Sequence, residues 1–400
     1  MSGKNNKTLK PDWRRVKFGD VVRLSKARSR DPLADGIERY VGLEHLEPSD
    51  LRIRSWGSVA DGVTFTSVFQ PGQVLFGKRR AYQRKVAVAN FSGVCSGDIY
   101  VLETKDAQVL LPALLPFICQ TDAFFDHAVD TSAGSLSPRT NWTSLANFEF
   151  VLPCIEDQHR LVELLCSVEA CLVSFAEADI ATKLLENSRL EDALASVPAD
   201  RVIPVDKLAP HGPKNGVSPK ANADERGHPT LSIGAVRDGR IVVEGNTKYA
   251  EISKAEATAF ELKANDALVV RGNGNKLLTG KCGLVDVVPK GCFYPDLLIR
   301  LKFDEKIIRP EFAVLQWNSQ VTHNRLISRA KSTNGIWKIN GADIRQHALK
   351  VPEIEEQDAL LAEMRAIRSA RKDIATRKAA AQNLKLHVFG AIQSVNANGI

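Results

Sequence analysis

The chain has 400 residues, 44% apolar and 25% charged, ordinary for a globular protein and sufficient for roughly two or three domains with buried cores. Its formal net charge of +7 and pI of about 9.0 favour an anionic partner such as nucleic acid. Seven scattered cysteines, with no C-x-x-C pair and no histidine at zinc-finger spacing, argue against a disulfide framework or zinc finger and for reduced, mostly buried thiols. The opening MSGKNNKTLKPDWRR lacks an apolar core, and the greasiest run, Val109 to Cys119, is broken by Pro112 and Pro116. A cytoplasmic protein with no membrane partner is therefore expected.

Taken in chain order, short β-branched runs set off by Gly, Pro and Asp predict strands at Phe18 to Leu24, Tyr40 to Leu46, Val74 to Lys78 and Asp98 to Thr104. A shorter helical stretch follows at Ala113 to Val129. FVLPCIEDQHRL, from Phe150, then ends an extended segment with a proline and turns acidic, as a helix start should. Beyond it, apolar residues recur at Leu161, Leu165, Val168, Leu172 and Phe175, then at Val173, Ala176, Ile180, Leu184, Leu194 and Val197.

The same order then repeats. Strands are predicted at Arg201 to Leu208, Thr230 to Val236, Ala267 to Gly272, Cys282 to Val288 and Leu297 to Phe303, and a helical stretch at Glu311 to Ile327. KVPEIEEQDALL, from Lys350, supplies the second proline and acidic turn. It leads into an apolar series at Leu360, Met364, Ile367, Ile374, Ala381, Leu384, Val388 and Ile392. Pro153 matches Pro352 and Gln158 matches Gln357, both at a spacing of 199, whereas Gln73 matches Asp266 at 193. That drift is what loop insertions produce in a duplicated domain. Spacings of three and four with a narrow stripe predict two long helices that pack on each other, each about 40 residues and roughly 60 Å long.

Catalytic patterns fail on chemistry. GNGNKLLTGKC, Gly272 to Cys282, misplaces a P-loop glycine by one position and has Cys282 where a hydroxyl should bind magnesium. Asp296, Asp304 and Lys306 flank what reads as a plain strand and a solvated turn. There is no N-P-P-[YF] sequence, for which NWTS at Asn141 does not substitute, no H-E-x-x-H and no G-x-S-x-G. No catalytic residue, metal site or bound cofactor is expected.

Two pairs of loops suit recognition instead. KRRAYQRK places Lys78, Arg79, Arg80, Arg84 and Lys85 around Tyr82. Cations engage phosphates, arginine reads guanine edges and tyrosine stacks. At the same place in the second copy stand Arg271, Asn273, Asn275, Lys276 and Lys281, a different set, as expected of readers of different sequences. The loops Thr131 to Trp142 and Lys331 to Asn340 add Ser132, Ser135, Arg139, Asn141, Lys331, Ser332, Thr333, Asn334 and Lys338 as candidate DNA contacts. Trp142 and Trp337 suit core anchoring at least as well as base contact.

WRRVKFGDVV, FQPGQVLF, FELKANDALVV, the hydroxyl-rich loops and the doubled LPCIEDQ and VPEIEEQ together resemble the specificity subunit of Type I restriction-modification systems, from Trp13 to about Ile392. Cys154 and Glu353 stand where that family often has a second proline, and PVDKL replaces its L-G-D opening in the second copy. The resemblance implies an α+β fold with a pseudo-two-fold repeat: target recognition domains at 1–154 and 198–353, joined by long antiparallel spacer helices at 155–197 and 354–400. It implies a non-catalytic reader of double-stranded DNA that recruits two methyltransferase subunits, which bind S-adenosylmethionine, and through them restriction subunits. Rods of the expected length would set two readers more than one turn of DNA apart, roughly 34 to 36 Å, giving an asymmetric bipartite site. A recognition subunit of a related Type IIB-like enzyme is the nearest alternative; a stand-alone magnesium nuclease or a scaffold that binds no DNA are others.

Overall fold

The computed structural model describes residues 12–222 and 224–393, and the side chains among these up to residue 390. Residues 1–11 and 394–400 of the expected first domain and last helix lie outside the described residues, as does the side chain of Ile392. The chain divides into two compact units. One runs to Glu177 and resumes at Ala375; the other is Ala178–Ile374. Both divisions fall within long helices, Ile155–Ala195 and Ile354–Gln393, so each unit owns a segment of each helix. Among the described residues no helix is long and apolar enough to cross a membrane.

In the first unit, Val22–Leu24, Ile99–Thr104, Val74–Gly77 and Val86–Val88 form one four-stranded sheet in that order. Gly57–Ser58, Arg39–Val41, Gly93–Cys95 and Ser67–Phe69 form another, and Arg14–Lys17 pairs with Glu149–Leu152. The core packs Phe18, Phe76, Phe117 and Phe124 with Leu165 of one long helix and Val388 and Phe389 of the other. Burying such rings contributes roughly 1.5–3 kcal/mol each.

The second unit has a six-stranded sheet ordered Lys214–Asn215, Leu298–Leu301, Ala267–Val270, Cys282–Leu284, Arg240–Ile241 and Val236–Arg237. Two three-stranded sheets and the pair Val202–Pro204 with Ala348–Lys350 complete it. Phe312, Trp317 and Ile299 share its core with Leu190 and Leu194 of one long helix and Leu360, Leu361 and Met364 of the other.

Registers express the duplication. Val74 faces Leu102 and Val88, while Ala267 faces Leu301 and Leu284. The offsets are 267 − 74 = 193, 284 − 88 = 196 and 301 − 102 = 199. The second unit therefore gains three residues in the loop after its first matching strand and three after its next. Phe18 and Val205 each donate a backbone hydrogen bond, to Phe148 and His347 respectively, and each opens a four-residue helical turn. Those turns, Phe18–Val21 and Val205–Leu208, stand where strands were expected to continue. A turn that short buries two side chains, Phe18 and Val21 or Val205 and Leu208, without leaving a helical pattern legible.

The doubled proline-acidic stretch is a joint with one design. Gln158, buried, accepts from the Leu111 N–H at 2.9 Å and donates to the carbonyls of Val109 and Pro153, each at 2.9 Å. Gln357, also buried, accepts from the Arg309 N–H at 2.8 Å and donates to Ile307 at 3.1 Å and Pro352 at 2.9 Å. One amide thus satisfies three backbone groups that would otherwise be unpaired where the helix leaves the unit.

The long helices meet in antiparallel sense within each unit. In the second, Asp179 pairs with Arg371, Glu186 with Arg368 and Arg189 with Glu363; in the first, Glu169 pairs with Lys385. Ile180, Leu184 and Leu384, expected in the apolar stripe, are exposed, because over this stretch charged pairs rather than aliphatic side chains make the contact. Cys95 and Cys119 in the first unit and Cys282 and Cys292 in the second are buried thiols, all raised by burial, Cys95 and Cys292 to about 12. Cys166 and Cys171 are exposed and Cys154 is intermediate, so burial is not general to the cysteines.

Candidate nucleic-acid interface

In the first unit the basic loop leaves the strand Val74–Gly77 and turns through a short 3-10 segment, Ala81–Gln83, with Ala81 buried beneath it. Arg80 and Arg84 bracket the turn in the left-handed region, at φ 53° and 56°, a conformation unusual for arginine. The loop is zipped to its expected partner. The Arg80 N–H donates to the Pro138 carbonyl at 2.7 Å, and the Thr140 N–H to the Lys78 carbonyl at 3.0 Å.

Most of its cations are tethered. Arg79 Nη1 and Arg139 Nε reach the two oxygens of Asp98 at 3.2 and 2.8 Å. Burial pushes Asp98 upward, but the hydrogen bonds and charges of Arg139 and Arg79 outweigh it and hold the carboxyl below its ordinary value. Ser137 Oγ accepts from Arg79 at 3.0 Å and Arg80 at 3.3 Å. Arg84 pairs with Asp122 at 2.5 Å and lies 4.7 Å over the Phe125 ring. Lys85 donates to the Leu43 carbonyl at 2.7 Å, and Lys78 sits 4.6 Å over the Tyr100 ring. Ser132 donates to the Ala128 carbonyl, and Asn141 caps the helix Trp142–Ala146 by accepting from Ser144 N–H at 2.8 Å. Tyr82 and Ser135 are exposed. The guanidinium groups are thus oriented rather than loose, and keep further N–H groups for an anion.

The second unit builds the same place with a different backbone. Gly272–Asn273 pairs antiparallel with Ile336–Lys338, which pairs with Lys331–Thr333 across a hairpin turn at Asn334 and Gly335, φ 51° and 75°. An Asn-Gly pair suits that mirror-image turn. The sequence predicts a loop here, and the Asn-Gly dipeptide is the local signal of the hairpin that forms instead. Lys276 lies 4.5 Å over the Trp337 ring, and Arg271 donates to the Asp296 carbonyl at 3.3 Å. Asn273 and Asn275 accept from the N–H groups of Asn275 and Leu277, each at 2.9 Å, so they shape the loop first. Lys281 is half-buried, its pKa lowered by burial, and it reaches the Asn318 carbonyl. Lys331, Ser332, Thr333, Asn334 and Lys338 are exposed on the hairpin.

The two tryptophans are not equivalent. Asn141 and Asn340 are the matching caps, 340 − 141 = 199, which puts Gly341 opposite Trp142. Trp142 packs 6.1 Å from Phe18 and 6.3 Å from Tyr100 as a core anchor, while Trp337 is a half-buried platform under Lys276. Asp98 and Ser137 escaped sequence reading, as did Arg39, stacked 4.5 Å over the exposed Trp56 and 5.1 Å over Phe91. No local pattern marks any of them.

Asp296 accepts from Ser218 Oγ at 2.6 Å, and Asp304 caps its own turn by accepting from the Lys306 N–H at 3.0 Å. They stand at opposite ends of the strand Leu298–Leu301. Among the described residues no three His, Cys, Asp or Glu side chains are grouped to hold a metal ion.

No family model matches the chain. It is 32% identical over 145 residues to the Type I restriction enzyme EcoKI specificity subunit of Escherichia coli, and 29% identical over 187 residues to the EcoDI specificity subunit of the same species. These matches cover 36% and 44% of this chain and 31% and 38% of those proteins, so the chain spans about a third of the length of each curated relative. In fold it is similar to a chain from a study of complex assembly and conformational transition of the type I R-M system, with a TM-score of 0.62 at 17% identity, covering 96% of this chain and 99% of that one. It is likewise similar to the Type-I restriction-modification S subunit from M. genitalium, at 0.59 and 12%, covering 98% of each.

Proposed function

From its resemblance in sequence to Type I restriction enzyme specificity subunits, and in fold to chains of type I R-M systems, one of them an S subunit, over nearly its whole length, we propose that this chain is the DNA-recognition subunit of a Type I restriction-modification complex. It reads double-stranded DNA through two target recognition domains, 1–154 and 198–353, with the segments 155–197 and 354–400 as spacers. The observation that carries this reading is the pairing of one place in two units with two chemistries. Arg79, Arg80 and Arg139 converge on Asp98 and Ser137 in one, and Lys276 over Trp337 sits beside an exposed Asn-Gly hairpin in the other.

The chemistry of such a subunit is binding. Oriented arginines supply bidentate contacts to guanine edges and phosphates, and exposed hydroxyls and amides contact the backbone. Methyl transfer and cleavage belong to the two methyltransferase subunits, which carry S-adenosylmethionine, and to the restriction subunits they bring; the chain itself holds no cofactor and lies in the cytoplasm. Two unequal readers in one chain call for an asymmetric, two-part site. The test is to map methylated adenines in DNA from cells making this chain with its cognate methyltransferase. A gapped, asymmetric motif is expected, and a continuous or palindromic one overturns the reading.

A further inference from the structure

Each unit joins its segments of the two long helices through ion pairs, and in the second Glu186 is shared by Arg368 and Arg371, the latter at 3.5 Å. In the first, Lys385 meets Glu169, with side chains 12% and 23% exposed. In the second, Arg368 meets Glu186 at 2.7 Å, with side chains 32% and 14% exposed. The positions are related by the repeat, 368 − 169 = 199 and 385 − 186 = 199, the spacing that also relates the two buried glutamines. Equivalent places in the duplicated sequence thus hold opposite charges. In both pairs the anion comes from Ile155–Ala195 and the cation from Ile354–Gln393, and Arg371 adds Asp179 at 3.1 Å in the same sense. Arg189 with Glu363 runs the other way, and both of its side chains are well exposed, where an ion pair contributes least.

The apolar neighbours do not discriminate. Leu165 and Met364, Val168 and Ile367, and Leu190 and Phe389 are related by the same 199 and are all buried. By repeat symmetry, two copies of the first helix would fit the same antiparallel register as far as these side chains are concerned. Their charges would not fit. Glu169 of one copy would face Glu186 of the other, twice, and two copies of the second helix would set Arg368 against Lys385. A like-charged pair in a half-buried seam gains no attraction to offset its desolvation.

We propose that these swapped charges are an address. The anionic helix accepts only the cationic one, so the chain pairs its own two helices and refuses like-with-like pairing with a second copy. This pairing belongs to the helices alone and holds whether or not the loops read DNA.

Two differently tagged full-length variants test it. One reverses the second helix (Arg368→Glu with Lys385→Glu) and the other the first (Glu169→Lys with Glu186→Lys). Each alone is expected to melt several degrees below the parent, and all four substitutions in one chain to restore the midpoint. Co-expressed, the two variants carry complementary helices only between chains and are expected to co-purify one to one, while neither co-purifies with the parent. Unchanged midpoints, no restoration in the fourfold variant, no co-purification of the two variants, or equal co-purification with the parent would each overturn the proposal.

Discussion

The joint beneath each unit and the loop above it have diverged to different degrees. At the joint, Gln158 and Gln357 make the same three hydrogen bonds to matching backbone groups. At the loop, only the backbone zipper is shared: Thr140 N–H to Lys78 in one unit and Ile339 N–H to Arg271 in the other. A side chain that completes buried backbone bonds has one acceptable identity, whereas a loop held by its own main chain leaves its side chains free to differ.

The comparison breaks most visibly at the joints. Gln158→Leu and Gln357→Leu each strand buried donors and acceptors, and each is expected to cost about 3 kcal/mol or more, read as a drop in the urea midpoint. If only one of them destabilises, the joints are not equivalent.

The cores differ in titration. Phe148 and His347 hold matching places, 347 − 148 = 199, each accepting from the residue that opens a helical turn. His347 packs 4.8 Å from the Trp317 ring and is lowered to about 4, first by burial and then by Arg325, Arg329 and His323. Its folded value lies below its unfolded one, so stability is full above about pH 6.5 and is lost as pH falls toward 4. The loss is on the order of 3 kcal/mol. His347→Phe, which copies the first unit, is expected to flatten thermal midpoints across that window; a profile that still falls as steeply assigns the acid sensitivity elsewhere.

At the loops, Asp98→Asn removes the anchor shared by Arg79 and Arg139. Because Asp98 is held below its ordinary value, its contribution is present above the normal carboxylate range and lost as pH drops through the folded pKa. The variant should lose that acid dependence and bind DNA more weakly, in titrations monitored by anisotropy. Smaller still, Arg80→Ala and Lys276→Ala are each expected to lower the salt slope of DNA binding by about one. An unchanged slope would remove that residue from the interface.

Much of this was legible because its signals are local. Proline followed by acidic residues marks a helix start, three-and-four spacing marks the long helices, and 199 recurs in the chain itself. What escaped depends on partners distant in sequence. Asp98 lies 19 residues after Arg79 and 41 before Arg139, so a run that reads as free cations is a tethered group. Ile180, Leu184 and Leu384 satisfy the apolar spacing yet are exposed, since helical periodicity says which face a residue is on and not what covers it.

The buried thiols allow the two units to be timed separately. Cys95 and Cys119 report on one and Cys282 and Cys292 on the other, and a thiol sealed from solvent reacts with an alkylating reagent only when its surroundings open. With the exposed Cys166 and Cys171 already blocked, labelling followed by peptide mapping gives each unit its own opening clock without any substitution, in the absence and in the presence of DNA.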